Sequence, residues 1–427
     1  MLDLILRGCN LPDSRKNIDI GIKGGKIIEV APNIAAKGAK EINASGRLVS
    51  PPFVDAHFHL DATLSYGIPR VNKSGTLLEG IQLWGELKPL LTKDAVKSRA
   101  REYCHWAIAR GLLAIRSHID ICDPRLLAVE ALLEIREEMK EYIDIQYVAF
   151  PQDGYYRFPG AVKLLERALD MGVDVVGGIP HFERTMADGA DSMKALCEIA
   201  AKRNLLVDIH CDESDDPMSR HIEALTYETQ RLGLHGRVAG SHLTSMHSMD
   251  NYYASKLLAL MAEAKIHAIP NPLANMWLMG RHDTYPKRRG LTRIKEMRER
   301  GINVALGQDS TLDPWYSLGS GEMLEVAHMA IHAAHMTSIA EMTDCFYGVT
   351  YHAAKAMHLE GYGLEAGCNA DLVVLQASDP IEAIRLKAPR LYVMRRGKII
   401  AQTPEVKTEL LLRQPTQPVQ FLHAKAA

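Results

Sequence analysis

Two histidines, His57 and His59, close an apolar run that begins at Pro51 and reads Pro-Pro-Phe-Val-Asp-Ala-His-Phe-His. Because side chains alternate between the two faces of a strand, both imidazoles would project from the same face at the end of this strand. Two imidazoles that project together can bind one metal ion. Alone, the pair is a weak signal, because a histidine at a strand end is often a hydrogen-bonded core residue.

Three further side chains of metal-binding type follow later apolar runs. His210, His242 and Asp309 each end a run that reads as a strand. Zn and Fe(II) accept imidazole and carboxylate ligands, and three histidines with one aspartate leave a position for water. An open position indicates hydrolytic chemistry. The alternative is that these residues are structural, in a barrel that binds no metal.

Other polar and aromatic residues near strand ends fit the same chemistry. Glu213 lies three residues past His210, where its carboxylate could shuttle a proton, although it could also be a solvated residue of an acidic loop. The amide of Gln152 can donate and accept at once, which suits the lactam-like edge of a pyrimidine. Trp315 could form a flat wall for a ring or simply anchor its loop. Another histidine at a strand end, His118, is interpreted as a structural or supporting residue.

Length and composition restrict the class of protein. A chain of 427 residues fits one large domain of barrel size with a smaller unit attached. Its net charge of -2 offers no electrostatic attraction for nucleic acid or an anionic membrane, so a small neutral substrate is expected. Seven cysteines without a Cys-x-x-Cys pair, no basic leader and no run of eighteen apolar residues predict a soluble, cytoplasmic protein.

Eight candidate strands alternate with stretches of helical periodicity. The strands are predicted at Leu48–His59, Leu113–Asp120, Ile143–Gln152, Val173–Pro180, Leu205–His210, Val238–His242, Ile266–Asn271 and Ile302–Asp309. Strict alternation predicts an α/β fold with a parallel sheet, and eight units favour a closed (β/α)₈ barrel of the TIM type over residues 51–364. Chemistry in that fold lies at the C-terminal ends of the strands, where the polar residues would converge.

Both ends of the chain contain short strand-like pieces. Residues 1–50 together with 365–407 are predicted to form a small β-sandwich domain. Residues 408–427 read as an apolar helix-like turn and a tail with proline and glutamine. We interpret them as a C-terminal arm that packs on a neighbouring chain, which predicts a homo-oligomer.

Longer motifs carry a family resemblance. They are Gly75-Thr-Leu-Leu-Glu-Gly80, Val148-Ala-Phe-Pro-Gln152, His210-Cys-Asp-Glu213, Asp283-Thr-Tyr-Pro-Lys-Arg-Arg-Gly290 and Asp313-Pro-Trp-Tyr316. With these motifs the chain resembles the amidohydrolase superfamily, and within it the bacterial cytosine deaminases of the metal-dependent barrel type. The resemblance covers nearly the whole predicted barrel.

The resemblance implies a metal site and catalytic roles. One divalent ion, usually Fe(II) with Zn tolerated, would be bound by His57, His59, His210 and Asp309. Glu213 would carry the proton to the ring nitrogen, while His242 and Asp309 orient and deprotonate the water. The fourth strand end, Val176-Gly-Gly-Ile-Pro180, supplies no lysine. Binuclear relatives need a carbamylated lysine there, so a single ion is expected.

The resemblance also implies a substrate pocket for a free pyrimidine base. Gln152 would read the ring's carbonyl and N3 edge, and the apolar walls would be Phe150, Leu77 and Trp315. The cytosine-specific members read Gly-His-Asp-Asp at the eighth strand, whereas this chain reads Gly-Gln-Asp309-Ser310. Replacing a carboxylate by a small hydroxyl near C5 would admit a methyl group, whose burial contributes about 0.8 kcal/mol. Deamination of 5-methylcytosine to thymine, and of cytosine to uracil, is therefore predicted.

Two alternatives stay open from the sequence. Related barrels use similar ligands on other rings, so isocytosine, creatinine or an aminotriazine could be the substrate. From a different class of protein, the chain could be a metal-free barrel that only binds a base.

Overall fold

The structure is a computed structural model and describes residues 1–412 and 415–422. The β-strands are β1 Leu2–Cys9, β2 Ile18–Lys23, β3 Lys26–Ala31, β4 Gly38–Asn43, β5 Leu48–Ser50, β6 Phe53–Phe58, β7 Leu112–Asp120, β8 Asp144–Phe150, β9 Val175–Gly178, β10 Leu206–Cys211, β11 Val238–His242, β12 His267–Ile269, β13 Asn303–Val304, β14 Leu372–Leu375, β15 Arg390–Arg395, β16 Lys398–Gln402, β17 Thr408–Leu410 and β18 Gln417–Val419.

The α-helices lie mainly between the strands of the central sheet. They are α1 Leu77–Leu87, α2 Lys93–Ala109, α3 Leu127–Met139, α4 Ala161–Asp170, α5 Met186–Arg203, α6 His221–Arg231, α7 Asn251–Glu263, α8 Pro272–Leu278, α9 Ile294–Glu299, α10 Met323–Ala333, α11 Ile339–Gly348, α12 Tyr351–Ala356 and α13 Pro380–Leu386. Short 3₁₀ helices cover Lys88–Leu90, Pro180–Phe182 and Thr244–His247.

Strands β6 to β13 form one parallel sheet in which neighbours in space are neighbours in sequence. A parallel bridge between Phe58 and Asp309 joins the first strand to the segment after the last one. The Asp309 N–H also donates to the His57 carbonyl at 2.8 Å. The sheet is therefore closed, and the predicted (β/α)₈ barrel is confirmed.

The first predicted strand, Leu48–His59, is two strands that belong to different sheets. Leu48–Ser50 pairs with β14, whereas Phe53–Phe58 pairs with β7 of the barrel. Pro51 and Pro52 lie between them and have no N–H to donate to a ladder. The chain thus leaves one sheet and enters the other across this proline pair.

Residues from both ends of the chain build two four-stranded sheets, β3-β2-β1-β4 and β16-β15-β14-β5. Their facing side chains share one apolar core, represented by Leu4, Ile20, Val49, Leu372 and Met394. This arrangement agrees with the predicted small β-sandwich. Strand β4 was not predicted, because its Gly-Ala-Lys-Glu-Ile-Asn sequence has little strand propensity and it forms by parallel pairing with β1.

The C-terminal segment pairs as a short hairpin instead of the expected helix-like turn. Strands β17 and β18 are antiparallel, with Thr408 opposite Val419. Pro415 and Pro418 lack the amide hydrogens that a helix requires. Residues 413–414 and 423–427 of the predicted arm lie outside the described part of the chain.

Within residues 1–412 and 415–422, no helix combines the length and the apolar character that crossing a bilayer demands.

Candidate active site

Four side chains from three parts of the barrel converge at the C-terminal ends of its strands. The Nε2 atoms of His59 and His210 lie 3.1 Å apart. The Nε2 atoms of His57 and His59 each lie 3.4 Å from Oδ1 of Asp309. All four side chains are buried. The fold therefore brings together the four residues that the sequence singles out as ligands.

Glu213 and His242 lie on one side of this cluster. Oε1 of Glu213 is 3.3 Å from Nδ1 of His242, which is 4.0 Å from Oδ2 of Asp309. The Asn275 amide donates to the same ring nitrogen at 2.9 Å, so a neutral His242 carries its proton on Nε2. Glu213, His242 and Asp309 thus present acidic and basic atoms within 4.8 Å of one another.

Two of these residues have left-handed backbone conformations, which residues other than glycine rarely adopt. The φ angle is 67° at His242 and 68° at Asp309. Such conformations cost free energy and are concentrated at functional sites. At both positions the chain turns at a strand end, and both side chains line the pocket at the barrel mouth.

The cluster suits a divalent metal ion. In the described residues, both ring nitrogens of His57, Nδ1 of His210 and Nε2 of His242 are buried without a hydrogen-bond partner. Burial, together with the neighbouring imidazoles, holds the pKa of His210 well below its usual value, so its ring is neutral. Burial favours a raised pKa at Asp309, but His242, His57 and His59 outweigh it and hold that pKa well below its usual range. Neutral imidazoles and an ionised carboxylate are the states that metal binding requires.

His118, interpreted from the sequence as a structural or supporting residue, packs directly on the cluster. Its ring centroid lies 4.1 Å from that of His57 and 4.6 Å from that of His210. Its Nε2 is 3.7 Å from Oδ1 of Asp208, whose other oxygen accepts from Arg116 at 2.9 Å. The buried ion pair of Arg116 and Asp208 therefore lies next to His118, which packs on the two predicted ligands.

A pocket of about 340 Å³ opens beside the cluster. Its lining includes four of the five predicted substrate-contacting residues, namely Leu77, Gln152, Ser310 and Trp315. Ile179 and Leu278 also line it, and sequence reasoning missed both because nothing distinguishes them from ordinary core residues. The pocket thus combines apolar walls with one amide and one hydroxyl.

Phe150 occupies a different place from the one expected. Its ring stacks on the imidazole of His210, with centroids 3.9 Å apart and an angle of 15° between the planes. It lies behind the pocket lining and is fully buried. Phe150 therefore packs on a predicted ligand, and it is not among the residues that line the pocket, where the resemblance places it as an apolar wall.

Ser310 has a carboxyl neighbour in its own loop. This neighbour is Asp313, whose Oδ1 accepts from the backbone N–H groups of Trp315 and Tyr316 at 2.9 Å each. Burial raises the pKa of Asp313 to about 6 in spite of these hydrogen bonds. Ser310 thus separates a buried carboxyl group from the pocket.

A closed barrel whose strand ends carry four histidines, an aspartate and a glutamate is typical of a hydrolase of the barrel type. The model of the amidohydrolase family matches residues 40–401, and the chain belongs to this family. It is accordingly an enzyme that hydrolyses C–N bonds, as the sequence predicted.

Known relatives act on nitrogen-containing rings. The chain is 40% identical to 5-methylcytosine deaminase from Klebsiella pneumoniae, solved with 5-fluorocytosine, over 95% of this chain and 98% of that one, with a TM-score of 0.92. It is 29% identical to N-isopropylammelide isopropyl amidohydrolase of Pseudomonas sp. (strain ADP), covering 94% of this chain and 97% of the relative. It is 28% identical to pterin deaminase of Rhizobium rhizogenes, covering 90% and 87% respectively. These similarities support hydrolytic deamination of a base.

Proposed function

We propose that this enzyme deaminates free aminopyrimidines at C4, converting 5-methylcytosine to thymine and cytosine to uracil with release of ammonia. The observation that carries the proposal is Ser310, a small hydroxyl residue in the pocket wall next to Asp309. Further support comes from the 40% identity to a 5-methylcytosine deaminase over nearly the full length of both chains.

The proposed ligands of one divalent ion are His57, His59, His210 and Asp309. Fe(II) and Zn both accept this combination of imidazole and carboxylate donors. Such an ion supplies an activated water at neutral pH when it is bound. The work of the protein is then to hold the base, exclude bulk water and move protons.

Glu213 is the proposed proton carrier. Burial and the nearby charge of Asp309 raise the pKa of its carboxyl group well above the usual range, which favours the protonated form. A protonated Glu213 can donate to N3 of the ring, and its carboxylate can then help the ammonia leave. His242 lies 3.3 Å from this carboxyl group; together with Asp309 it is proposed to hold the attacking water, with the His242 imidazole orienting it and the Asp309 carboxylate deprotonating it.

Gln152 is the proposed reader of the base. Its amide can donate to the ring's carbonyl oxygen and accept from a ring N–H, which matches the polar edge of a cytosine. Leu77 and Trp315 would enclose the flat ring, because both belong to the pocket lining. Aromatic side chains stabilise such rings through offset or edge contacts.

Ser310 is the proposed determinant of 5-methylcytosine use. A carboxylate at this position would be strongly hydrated, and a methyl group buried against it would lose its favourable transfer. The serine at this position in the pocket lining leaves both volume and an uncharged surface. The gain from one buried methyl group is about 0.8 kcal/mol, before any relief of repulsion is counted.

The test is ammonia release measured in parallel on 5-methylcytosine, cytosine, 5-fluorocytosine and isocytosine, with Fe(II)-loaded and Zn-loaded protein. N-isopropylammelide and a pterin complete the panel, because relatives act on them. We expect the highest kcat/KM for 5-methylcytosine, followed by cytosine. Turnover of isocytosine, a pterin or N-isopropylammelide in preference to both would overturn the proposal. Release of no ammonia from any base of the panel would also overturn the proposal.

A further inference from the structure

We infer that Gly80, which has no side chain to contact a substrate, is a specificity-determining residue because it sets the position of the Trp315 indole. Gly80 lies in the first turn of α1, and a Cβ built there would come within 2.3 Å of Cδ1 and 2.6 Å of Nε1 of Trp315. Ordinary contact begins at 3.4 Å, so any other residue would have to displace the indole by about 1 Å. The inference rests on the proposed function insofar as it concerns which bases fit.

Gly80 lowers the stability of α1, and its close contact with Trp315 explains why a glycine is nevertheless present there. Glycine in a helix is less favourable than alanine by about 1 kcal/mol. Leu77, Gly80 and Trp84 share one face of α1, as residues three and four apart do on a helix. Leu77 lines the pocket, and the Trp84 and Trp315 ring centroids lie 6.1 Å apart. Gly80 is therefore the gap in this face into which the indole edge fits.

Helix α1 has little freedom to retreat from a larger residue at position 80. The Trp84 indole N–H donates to Oδ2 of Asp120 at 2.7 Å. Directly after the helix, Lys88 Nζ lies 2.7 Å from the same oxygen and 2.6 Å from Oδ2 of Asp153. Asp120 and Asp153 follow or end barrel strands, so these contacts fasten the helix to the barrel. Asp153 is also the neighbour of Gln152, the proposed reader of the base.

The backbone around Trp315 is fixed as well. The Trp315 N–H donates to Asp313 at 2.9 Å, and the Asn72 amide donates to the Pro314 carbonyl at 3.1 Å. The displaced part would therefore be the indole itself. The indole of Trp315 lines the pocket, and its ring centroid lies 6.1 Å from that of His59. A side chain at position 80 would thus displace the Trp315 indole towards the pocket and narrow the pocket.

The experiment compares Gly80→Ala with Gly85→Ala in the metal-loaded enzyme. Gly85 is a matched control, because it lies in the same helix and a Cβ there would meet nothing within 4 Å. For Gly80→Ala we expect the ratio of kcat/KM for 5-methylcytosine to that for cytosine to fall about tenfold or more, which is the range for one methyl group in a tight pocket. Gly85→Ala should leave this ratio unchanged.

A double variant tests whether the effect passes through the indole. Trp315→Ala removes the Cγ, Cδ1 and Nε1 atoms that a Cβ at position 80 would meet, so Gly80→Ala should change the ratio little in that background. An equal fall with and without the indole would overturn the inference. An unchanged ratio in Gly80→Ala alone would also overturn it.

A spectroscopic measurement separates this inference from the proposed function. The chain has four tryptophans, so protein labelled with 5-fluorotryptophan gives few ¹⁹F signals, and Trp315→Leu identifies the one from Trp315. We expect Gly80→Ala to shift that signal and Gly85→Ala to leave it in place. An unmoved signal refutes the inference whatever the substrate is. A shifted signal in an enzyme that turns over no cytosine supports the positioning role and refutes the proposed function alone.

Discussion

Oε1 of Glu213 and Nδ1 of His242 lie 3.3 Å apart in a buried corner of the barrel mouth, next to the carboxylate of Asp309. Neither residue belongs to the proposed ligand set. Proton transfer is therefore assigned to residues that do not bind the metal. A substitution at Glu213 should abolish turnover without loss of the metal, which can be tested.

Glu213→Gln should abolish turnover while the protein keeps its metal. The amide has nearly the same shape as the carboxyl group but cannot deliver and recover a proton, and general acid–base catalysis contributes about 10²–10⁴-fold. The measurement is kcat on 5-methylcytosine together with metal content per chain. Asp216→Asn is the matched control, because Asp216 is exposed in the same loop and accepts from the Met218 N–H through an oxygen that asparagine keeps. Near wild-type turnover in Glu213→Gln would refute the proton-carrier role.

Ser310→Asp should suppress 5-methylcytosine relative to cytosine. The new carboxylate would take the space proposed for the methyl group and would lie beside Asp313, whose pKa is already raised to about 6. We expect the ratio of kcat/KM to fall about tenfold, the lower end of what one methyl group contributes to specificity. Ser320→Asp adds the same charge later in the chain, outside the pocket lining, and should leave the ratio unchanged. An unchanged ratio in Ser310→Asp would exclude this residue as the C5 determinant.

The barrel and the convergence of its polar strand ends could be predicted because both follow from local patterns. Alternating strands and helices define the sheet, and a polar residue at a strand end needs no knowledge of its neighbours to be placed at the mouth. His59 and His210 are 151 residues apart in sequence, yet their Nε2 atoms lie 3.1 Å apart as that rule requires.

Features that depend on packing between distant segments could not be predicted. Phe150 on β8 and His210 on β10 stack across the intervening strand β9, and sequence does not specify ring orientation. His118 looked like a supporting residue, but its contact with His57 depends on the buried pair of Arg116 and Asp208 behind it. The Gly75–Gly80 motif was visible, whereas the reason for Gly80 required the position of Trp315.

Removal of the metal should abolish activity and lower stability. Without an ion, both ring nitrogens of His57 and Nδ1 of His210 are buried and have no hydrogen-bond partner in the described residues. An ion that binds only the folded protein therefore stabilises the folded state. At a free concentration a thousandfold above Kd, that stabilisation is about 4 kcal/mol. We expect chelator treatment to lower Tm and eliminate ammonia release, and Fe(II) or Zn to restore both. His210→Ala should have the lower Tm from the start and show no response to the chelator. Full activity after removal of the metal would contradict the proposed site.

His267 should make the protein less stable as the pH falls from about 6.5 to about 4. This histidine lies at the start of β12, remote from the strand ends that form the pocket, where its Nε2 donates to the Gly236 carbonyl at 3.0 Å and its Nδ1 accepts from Asn303 at 3.0 Å. Burial lowers its pKa to about 4. The unfolded chain therefore binds a proton at this residue between the two pKa values while the folded protein does not, and the difference destabilises the folded state by about 3 kcal/mol at the acid end.

The stabilising effect of a neutral His267 is thus fully present above pH 6.5 and is lost as the pH falls towards 4. His267→Gln keeps an amide that can donate to Gly236 but cannot take up a proton in this range. The free energy of unfolding, measured by guanidinium denaturation at a series of pH values, should fall less steeply in this variant. The difference between the two curves cancels every group they share, including the metal site. His235→Gln, an exposed histidine one residue from Gly236, should give the wild-type slope, and a wild-type slope in His267→Gln would show that burial does not hold His267 neutral.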